Sequence, residues 1–96
     1  MAKKDDTLSY LQRADALLQE ERYEEAVRLY EHAAESFIKG GFVFKSIAVS
    51  KQITSIIDRC APELTDVRER TLRRLNQAYT GLGLTAEAAE IRRLLN

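Results

Sequence analysis

The residues of this sequence best suited to bind a charged ligand lie in and just after the segment RERTLRR, residues 68–74. If this segment is helical, successive residues turn by about 100°, and four polar side chains fall on one face. They are Arg70, Arg73, Arg74 and Gln77. Guanidinium groups form bidentate hydrogen bonds with carboxylates, so an acidic peptide or a chain terminus is the predicted ligand.

The same arginines also fit a second interpretation, in which they simply cover a solvated helix face. Asp66–Arg70 and Glu69–Arg73 are each four residues apart with the acid first, which is the favourable order for local ion pairs. A phosphate ligand is the third interpretation. The composition does not favour nucleic acid as a partner, because the formal net charge is zero and no aromatic residues interleave with the arginines.

Phe42 and Phe44 form a second candidate contact surface. They are two residues apart, so they cannot share one face of a helix. We therefore expect one of them at the surface, where it would contact another chain or domain. The alternative is that the third helix is central enough to bury both rings.

The residues that could carry out catalysis are few. The chain has one histidine and one cysteine, far apart, which supply neither a transition-metal site nor a catalytic dyad. We expect His32 to be a solvated surface residue and Cys60 to be a packed, inert thiol. The carboxylates of EERYEE, residues 20–25, suit a turn and the first turn of a helix. The sequence therefore predicts no enzyme, no cofactor and no metal.

The elements that position these residues are predicted to be helices throughout. Apolar residues recur at three- and four-residue steps, and helix breakers are confined to Pro62 and four glycines. The pattern predicts one all-α domain spanning residues 1–96, with five helices at about 6–20, 24–39, 42–58, 63–80 and 86–95. The short connections make consecutive helices antiparallel. The β-branched residues of the third segment also fit a strand, but their spacing favours a helix.

Two glycines, Gly40 and Gly41, raise the possibility of a phosphate-binding loop. Such a loop normally follows a strand and carries GxGxxG or GxxxxGK[ST], and neither pattern occurs here. We therefore expect one of the two glycines to close the second helix in the left-handed conformation. At the helix starts, Asp5, Asp6 or Thr7 is the predicted cap of the first helix, and Thr85 is the predicted cap of the fifth.

Two segments pair small and aromatic residues across a helix–turn–helix. They are ADALLQEERYEEAVRLYEHAAE, residues 14–35, and LRRLNQAYTGLGLTAEAAEIRRLL, residues 72–95. A third, overlapping match comprises Tyr30, Ala33, Ala34, Phe37, Gly41, Ser46, Ser50 and Ile53. Together they resemble a degenerate tetratricopeptide repeat, in which small residues let helices approach and aromatic rings fill the groove beside them. The stretch GGFVFKSIAVSKQI also resembles helical repeats of multidomain bacterial signalling proteins.

The resemblance implies a non-catalytic, cytoplasmic module that binds a protein or peptide, with no membrane partner. Two alternatives stay open. One is homodimerisation, because residues 1–40 carry six basic and nine acidic residues whereas residues 41–96 carry nine and six. The other is a small regulatory domain that binds a nucleotide or nucleic acid through Arg70, Arg73 and Arg74. Steep salt sensitivity of binding would identify the last.

Overall fold

Five α-helices build the protein. The structure, a computed structural model, describes residues 6–96. The helices are α1 (Thr7–Gln19), α2 (Tyr23–Lys39), α3 (Val43–Cys60), α4 (Thr65–Gly81) and α5 (Thr85–Leu95). Each packs against the next along the chain, and the described residues contain no strand. The prediction of an all-α fold with five helices is therefore confirmed, and the β-branched residues of α3 are helical.

Three of the four connections close a helix in the same way. One residue in each takes a positive φ of 60°, 83° or 75°, and these residues are Glu21, Gly41 and Gly83. At the second connection, Phe42 N–H donates to the carbonyl of Phe37 at 2.8 Å, and Gly41 N–H donates to that of Ile38 at 3.1 Å. This pair of bonds satisfies carbonyls that the end of the helix would otherwise leave unpaired. Gly41 thus has the helix-closing conformation that the sequence predicts.

The predicted side-chain caps are wrong where the structure describes them, and Asp5 lies outside the described residues. Asp6 precedes α1, but its side chain makes no capping hydrogen bond. Thr7 and Thr85 are the first residues of their helices, so neither occupies a cap position. Leu84 precedes α5 and packs against the core, because the chain enters that helix directly from the left-handed turn at Gly83.

The core consists of two clusters that meet along α3. The larger cluster contains residues of α1, α2, α3 and α4. At its centre are Tyr30, Ile53 and Ile57, each at most 1% exposed. The smaller one joins α3, α4 and α5 around Leu72 and Leu75. Burying side chains of this size stabilises the fold by about 1.5–3 kcal/mol each. The α3 helix contributes to both clusters and packs against α2 and α4, whose polar residues border a common groove.

Candidate functional site

The four polar residues predicted on α4 line one groove between α2 and α4. This arginine groove has a volume of about 670 Å³. Its lining consists of Glu35, Ile38, Lys39, Val43, Arg70, Arg73, Arg74, Gln77, Ala78, Gly81 and Leu82. Four of these side chains are cations, whereas Glu35 is the one carboxylate among the described residues of the lining. The remaining wall is largely apolar, so the groove combines cationic side chains with an apolar floor.

The α4 helix presents these arginines because its other face is buried. Leu72, Leu75 and Tyr79 pack into the smaller core cluster at three- and four-residue steps. The helical period then carries residues 70, 73, 74 and 77 away from that contact and toward α2. The burial of α4 therefore fixes the orientation of the arginine face.

A buried acid, Glu31 of α2, joins the two sides of the groove. Glu31 is only 7% exposed. Its carboxylate accepts two hydrogen bonds from Arg70, from Nε at 2.7 Å and from Nη2 at 3.0 Å. It accepts a third from Nη2 of Arg74 at 3.3 Å. This bidentate arrangement is among the stronger ion pairs that proteins form, and here it fixes α4 against α2.

The electrostatics of this cluster favour the charged forms of Glu31 and Arg70. Burial alone would raise the pKa of Glu31, but the hydrogen bonds and charges of Arg70 and Arg74 outweigh it and hold the pKa below its ordinary value. The hydrogen bond to Glu31 in turn raises the pKa of Arg70. One anion thus lies between two cations. Nη1 of Arg74 is buried and has no hydrogen-bond partner among the described residues, so this guanidinium keeps donor capacity.

The interpretation in which the α4 arginines pair locally describes only part of the face. Arg73 does pair with Glu69, one turn earlier, at 2.7 Å. Arg70 pairs instead with Glu31, 39 residues away, and not with Asp66. Arg73 is the most solvent-accessible arginine of the groove, with 67% of its side chain exposed. A ligand that enters the groove would meet Arg73 first.

The two phenylalanines are both exposed, and they lie in different surroundings. Phe42 is 52% exposed, and Phe44 is 69% exposed. The structure therefore exposes both rings, whereas the sequence predicts one at the surface, and the alternative that both are buried is wrong. Phe42 precedes α3, and its ring packs edge-on against Phe37 with 6.4 Å between centroids. Phe44 lines neither the arginine groove nor the groove that contains Phe42.

Phe42 belongs to a second groove, of about 680 Å³, which we call the aromatic groove. Its lining is Asp6, Thr7, Tyr10, His32, Glu35, Ser36, Phe37, Lys39, Gly40 and Phe42. Glu35 and Lys39 line both grooves, so the two adjoin across the C-terminal half of α2. The side chain of His32 faces Tyr10 of α1, with 5.5 Å between ring centroids. His32 is solvated, as expected, but it is also part of a groove.

The expectation for Cys60 is wrong. Its thiol is exposed at the last residue of α3, whereas the sequence predicts a packed side chain. The helix ends there, and Ile56 and Ile57 direct the buried face of that last turn into the core. Among residues 6–96 there is no group of three or more His, Cys, Asp or Glu side chains that could hold a metal ion.

Sequence reasoning missed Glu31, the residue that organises the site. A signal was available, because Glu31 follows Tyr30 and precedes Ala33 and Ala34 within the apolar stripe of α2. An acid on the buried side of a helix needs a cationic partner. The partners are the very arginines that the sequence singles out on α4.

Comparison with known proteins identifies the family. The sequence model of the HEPN domain matches residues 5–89, which is most of the chain. The chain belongs to the HEPN domain family. No curated protein and no solved structure matches it.

This assignment shows that the predicted membership of the tetratricopeptide repeat family is wrong. HEPN is a distinct all-helical domain, typically a ribonuclease, nucleotide-related or toxin–antitoxin module. The prediction of a non-catalytic peptide-binding scaffold with a signalling role is therefore wrong, and so is the prediction that the chain is not an enzyme. The physical reason for the error is that any closely packed pair of antiparallel helices places small residues beside aromatic ones, so this spacing is not specific to one family.

Proposed function

We propose that this HEPN domain binds single-stranded RNA and cleaves it, and that the arginine groove holds the RNA phosphates. The observation that carries the proposal is the convergence of Lys39, Arg70, Arg73 and Arg74 on one open groove in a domain of a typically ribonucleolytic family. Guanidinium groups bind phosphate oxygens in the same forked geometry that they use for carboxylates. This is the nucleic-acid alternative of the sequence analysis, with its arginines placed in one groove.

Two further features support phosphate binding in this groove. Arg70 is half exposed and binds Glu31 through Nε and Nη2 only, so its Nη1 has donors for a phosphate oxygen. Val43, the first residue of α3, also lines the groove. The positive end of the α3 helix dipole adds to the potential there. Such a charge distribution attracts phosphates without reading their sequence.

The cleavage chemistry follows from the structure of RNA. The 2′-oxygen attacks the adjacent phosphorus, and the bond from phosphorus to the 5′-oxygen breaks. The products are a 2′,3′-cyclic phosphate and a 5′-hydroxyl. The proton lost by the 2′-hydroxyl is balanced by one gained at the 5′-oxygen. A guanidinium in the arginine groove would stabilise the charge on the phosphorane. His32 lies in the adjoining groove, and an imidazole can both accept and donate the proton.

The experiment combines binding and cleavage of one labelled single-stranded RNA of about ten nucleotides. Fluorescence anisotropy compares wild type with Arg73→Glu and Arg28→Glu. The two arginines are matched, because each pairs with a glutamate four residues earlier, at 2.7 and 2.8 Å, and each is largely exposed. Arg28 lines neither groove. We expect Arg73→Glu to weaken binding on the order of 10-fold and Arg28→Glu to leave it within about 2-fold.

Equal effects of the two reversals, or no RNA binding by the wild type, would overturn the proposal. Gel analysis of the same mixtures tests cleavage. We expect wild type to shorten the RNA, and His32→Ala to bind it without shortening it. Intact RNA with the wild-type protein would refute the cleavage part, and unchanged cleavage by His32→Ala would remove His32 from the mechanism.

The protein is proposed to act as a homodimer in the cytoplasm. HEPN domains often dimerise, which supports the homodimer alternative of the sequence analysis. None of the helices in residues 6–96 is long and apolar enough to cross a bilayer. The free thiol of Cys60 suits a reducing compartment. Light scattering across a concentration range, with and without RNA, measures the mass. A monomer at all concentrations would contradict the dimer.

A further inference from the structure

We infer that the aromatic groove is a nucleobase subsite, which receives a base of the RNA whose phosphates lie in the arginine groove. The inference rests on the proposed function and adds a second ligand group to it. Nothing in the family assignment points to this groove. The geometry points to this groove, because it shares Glu35 and Lys39 with the arginine groove, and the two grooves form a continuous surface. A strand crossing α2 would pass from one to the other.

The surface that would stack on a base is the ring of Phe42. It is half exposed in a small protein whose other aromatic rings are largely covered, apart from Phe44. The Phe37 and Phe42 rings pack at an angle of 72° to each other, and Nζ of Lys45 lies over the Phe42 ring, 4.9 Å from its centroid. A ring held in this way is a pre-organised platform, and bases stack on aromatic rings whatever their sequence.

The aromatic groove also contains polar groups. Tyr10 and His32 lie together with an angle of 33° between their ring planes. Glu35 lines the same groove, and no lysine or arginine among residues 6–96 comes within ion-pair distance of its carboxylate. A carboxylate only accepts hydrogen bonds, so Glu35 suits the N–H groups at the edge of a base and not a phosphate. Lys39 remains available to the phosphate beside that base.

This division of chemistry explains why one groove is not simply an extension of the other. The arginine groove gathers donors and positive charge, which suit phosphates. The aromatic groove carries Asp6 and shares Glu35 with the arginine groove, and these carboxylates can accept hydrogen bonds from a base. The ligand class that fits the second groove is therefore a nucleobase, attached to a backbone that the first groove holds.

The test compares Phe42→Ala with Phe44→Ala. The two phenylalanines are two residues apart and both exposed, but only Phe42 lines the aromatic groove. Two oligonucleotides of equal length are measured by anisotropy, a single-stranded RNA and an abasic strand with the same number of phosphates. Circular dichroism verifies that both variants fold. Phe42→Tyr, which keeps the aromatic ring, serves as the rescue variant.

We expect Phe42→Ala to weaken RNA binding on the order of 10-fold, because a base–aromatic stack is lost. Phe44→Ala and Phe42→Tyr should stay within about 2-fold of wild type, and Phe42→Ala should not change binding of the abasic strand. If RNA binds but Phe42→Ala and Phe44→Ala have equal effects, the subsite is refuted while phosphate binding stands. Equal wild-type affinity for the RNA and the abasic strand would refute the subsite too. If neither strand binds, the proposed function itself fails.

Discussion

Replacing Glu31 by glutamine should have opposite effects on stability and on RNA binding. In the native protein Glu31 is nearly buried and accepts three hydrogen bonds from two arginines. Glutamine keeps the shape and one acceptor but loses the charge. Charge-assisted hydrogen bonds contribute about 1.5–3 kcal/mol, and Arg70 is half exposed, so we take the lower part of that range, about 2 kcal/mol. For a domain of this size, this predicts a fall in Tm of about 10 °C.

The matched control is Glu69→Gln, which also removes the carboxylate partner of an α4 arginine. The Glu69–Arg73 pair is exposed on both sides, so its loss should cost less than about 0.5 kcal/mol. Thermal unfolding followed by circular dichroism measures both variants. If Glu31→Gln and Glu69→Gln have the same Tm, the Glu31 cluster does not hold α2 against α4, and the reasoning about the site is wrong.

The same substitution should tighten RNA binding. Without the carboxylate, Arg70 and Arg74 lose the anion that neutralises part of their charge. Removing the charge of Glu31 should strengthen the attraction between these arginines and a phosphate by about 1 kcal/mol, which corresponds to a roughly 5-fold gain in affinity. A variant that is less stable and yet binds more tightly is difficult to explain by general damage to the fold. Weaker RNA binding by Glu31→Gln would contradict a phosphate site at these arginines.

The pH dependence of stability follows from the lowered pKa of Glu31. A carboxyl whose pKa is lower in the folded state releases its proton more readily there, so it stabilises the fold above the unfolded pKa. That contribution disappears as the pH falls through the folded pKa. We expect wild type to lose stability between roughly pH 5 and pH 3, and Glu31→Gln to lose less over the same interval. Parallel curves for the two proteins would show that Glu31 does not titrate as described.

Further predictions concern the turns and the core. Gly83→Ala should destabilise the fold by about 1 kcal/mol in urea titrations because Gly83 has a φ of 75°, whereas Gly81→Ala, at the helical end of α4, should be neutral or stabilising. Burial, and then the hydrogen bond to Asp15, raise the pKa of Tyr30 in the folded state. The free energy of unfolding should therefore fall as the pH rises above about 10, and Tyr30→Phe should not show this fall. Ser50 is fully buried and its hydroxyl has no partner among residues 6–96, so Ser50→Ala should raise Tm or leave it unchanged.

The sequence predicts most of the fold because helical periodicity and helix-closing glycines are local signals. The apolar spacing of α3 places it in both core clusters, and Gly41 closes α2 as expected. The residue that precedes α5 was not predictable in this way. The left-handed turn at Gly83 places Leu84, and not Thr85, at that position. That choice depends on how Leu84 packs against the core, which is a tertiary contact.

The candidate site was only partly predictable. The helical period alone places Arg70, Arg73, Arg74 and Gln77 on one face, and the structure brings all four into one groove. The pairing of Arg70 with Glu31 spans 39 residues, so the local pattern that marks Glu31 as buried could not identify its partner. The family was missed for a related reason. The alanine and tyrosine spacing reports how closely two helices pack, and many helical families meet that requirement.

The most direct test of the account is the salt dependence of RNA binding. Lys39, Arg70 and Arg73 are the accessible cations of the arginine groove, which gives about three phosphate contacts and a slope of roughly −2 for log K against log [salt]. Arg73→Ala should reduce the magnitude of that slope by about 0.7, and Arg28→Ala should leave it unchanged. A wild-type slope near zero, or an equal change in both variants, would contradict phosphate binding in the arginine groove.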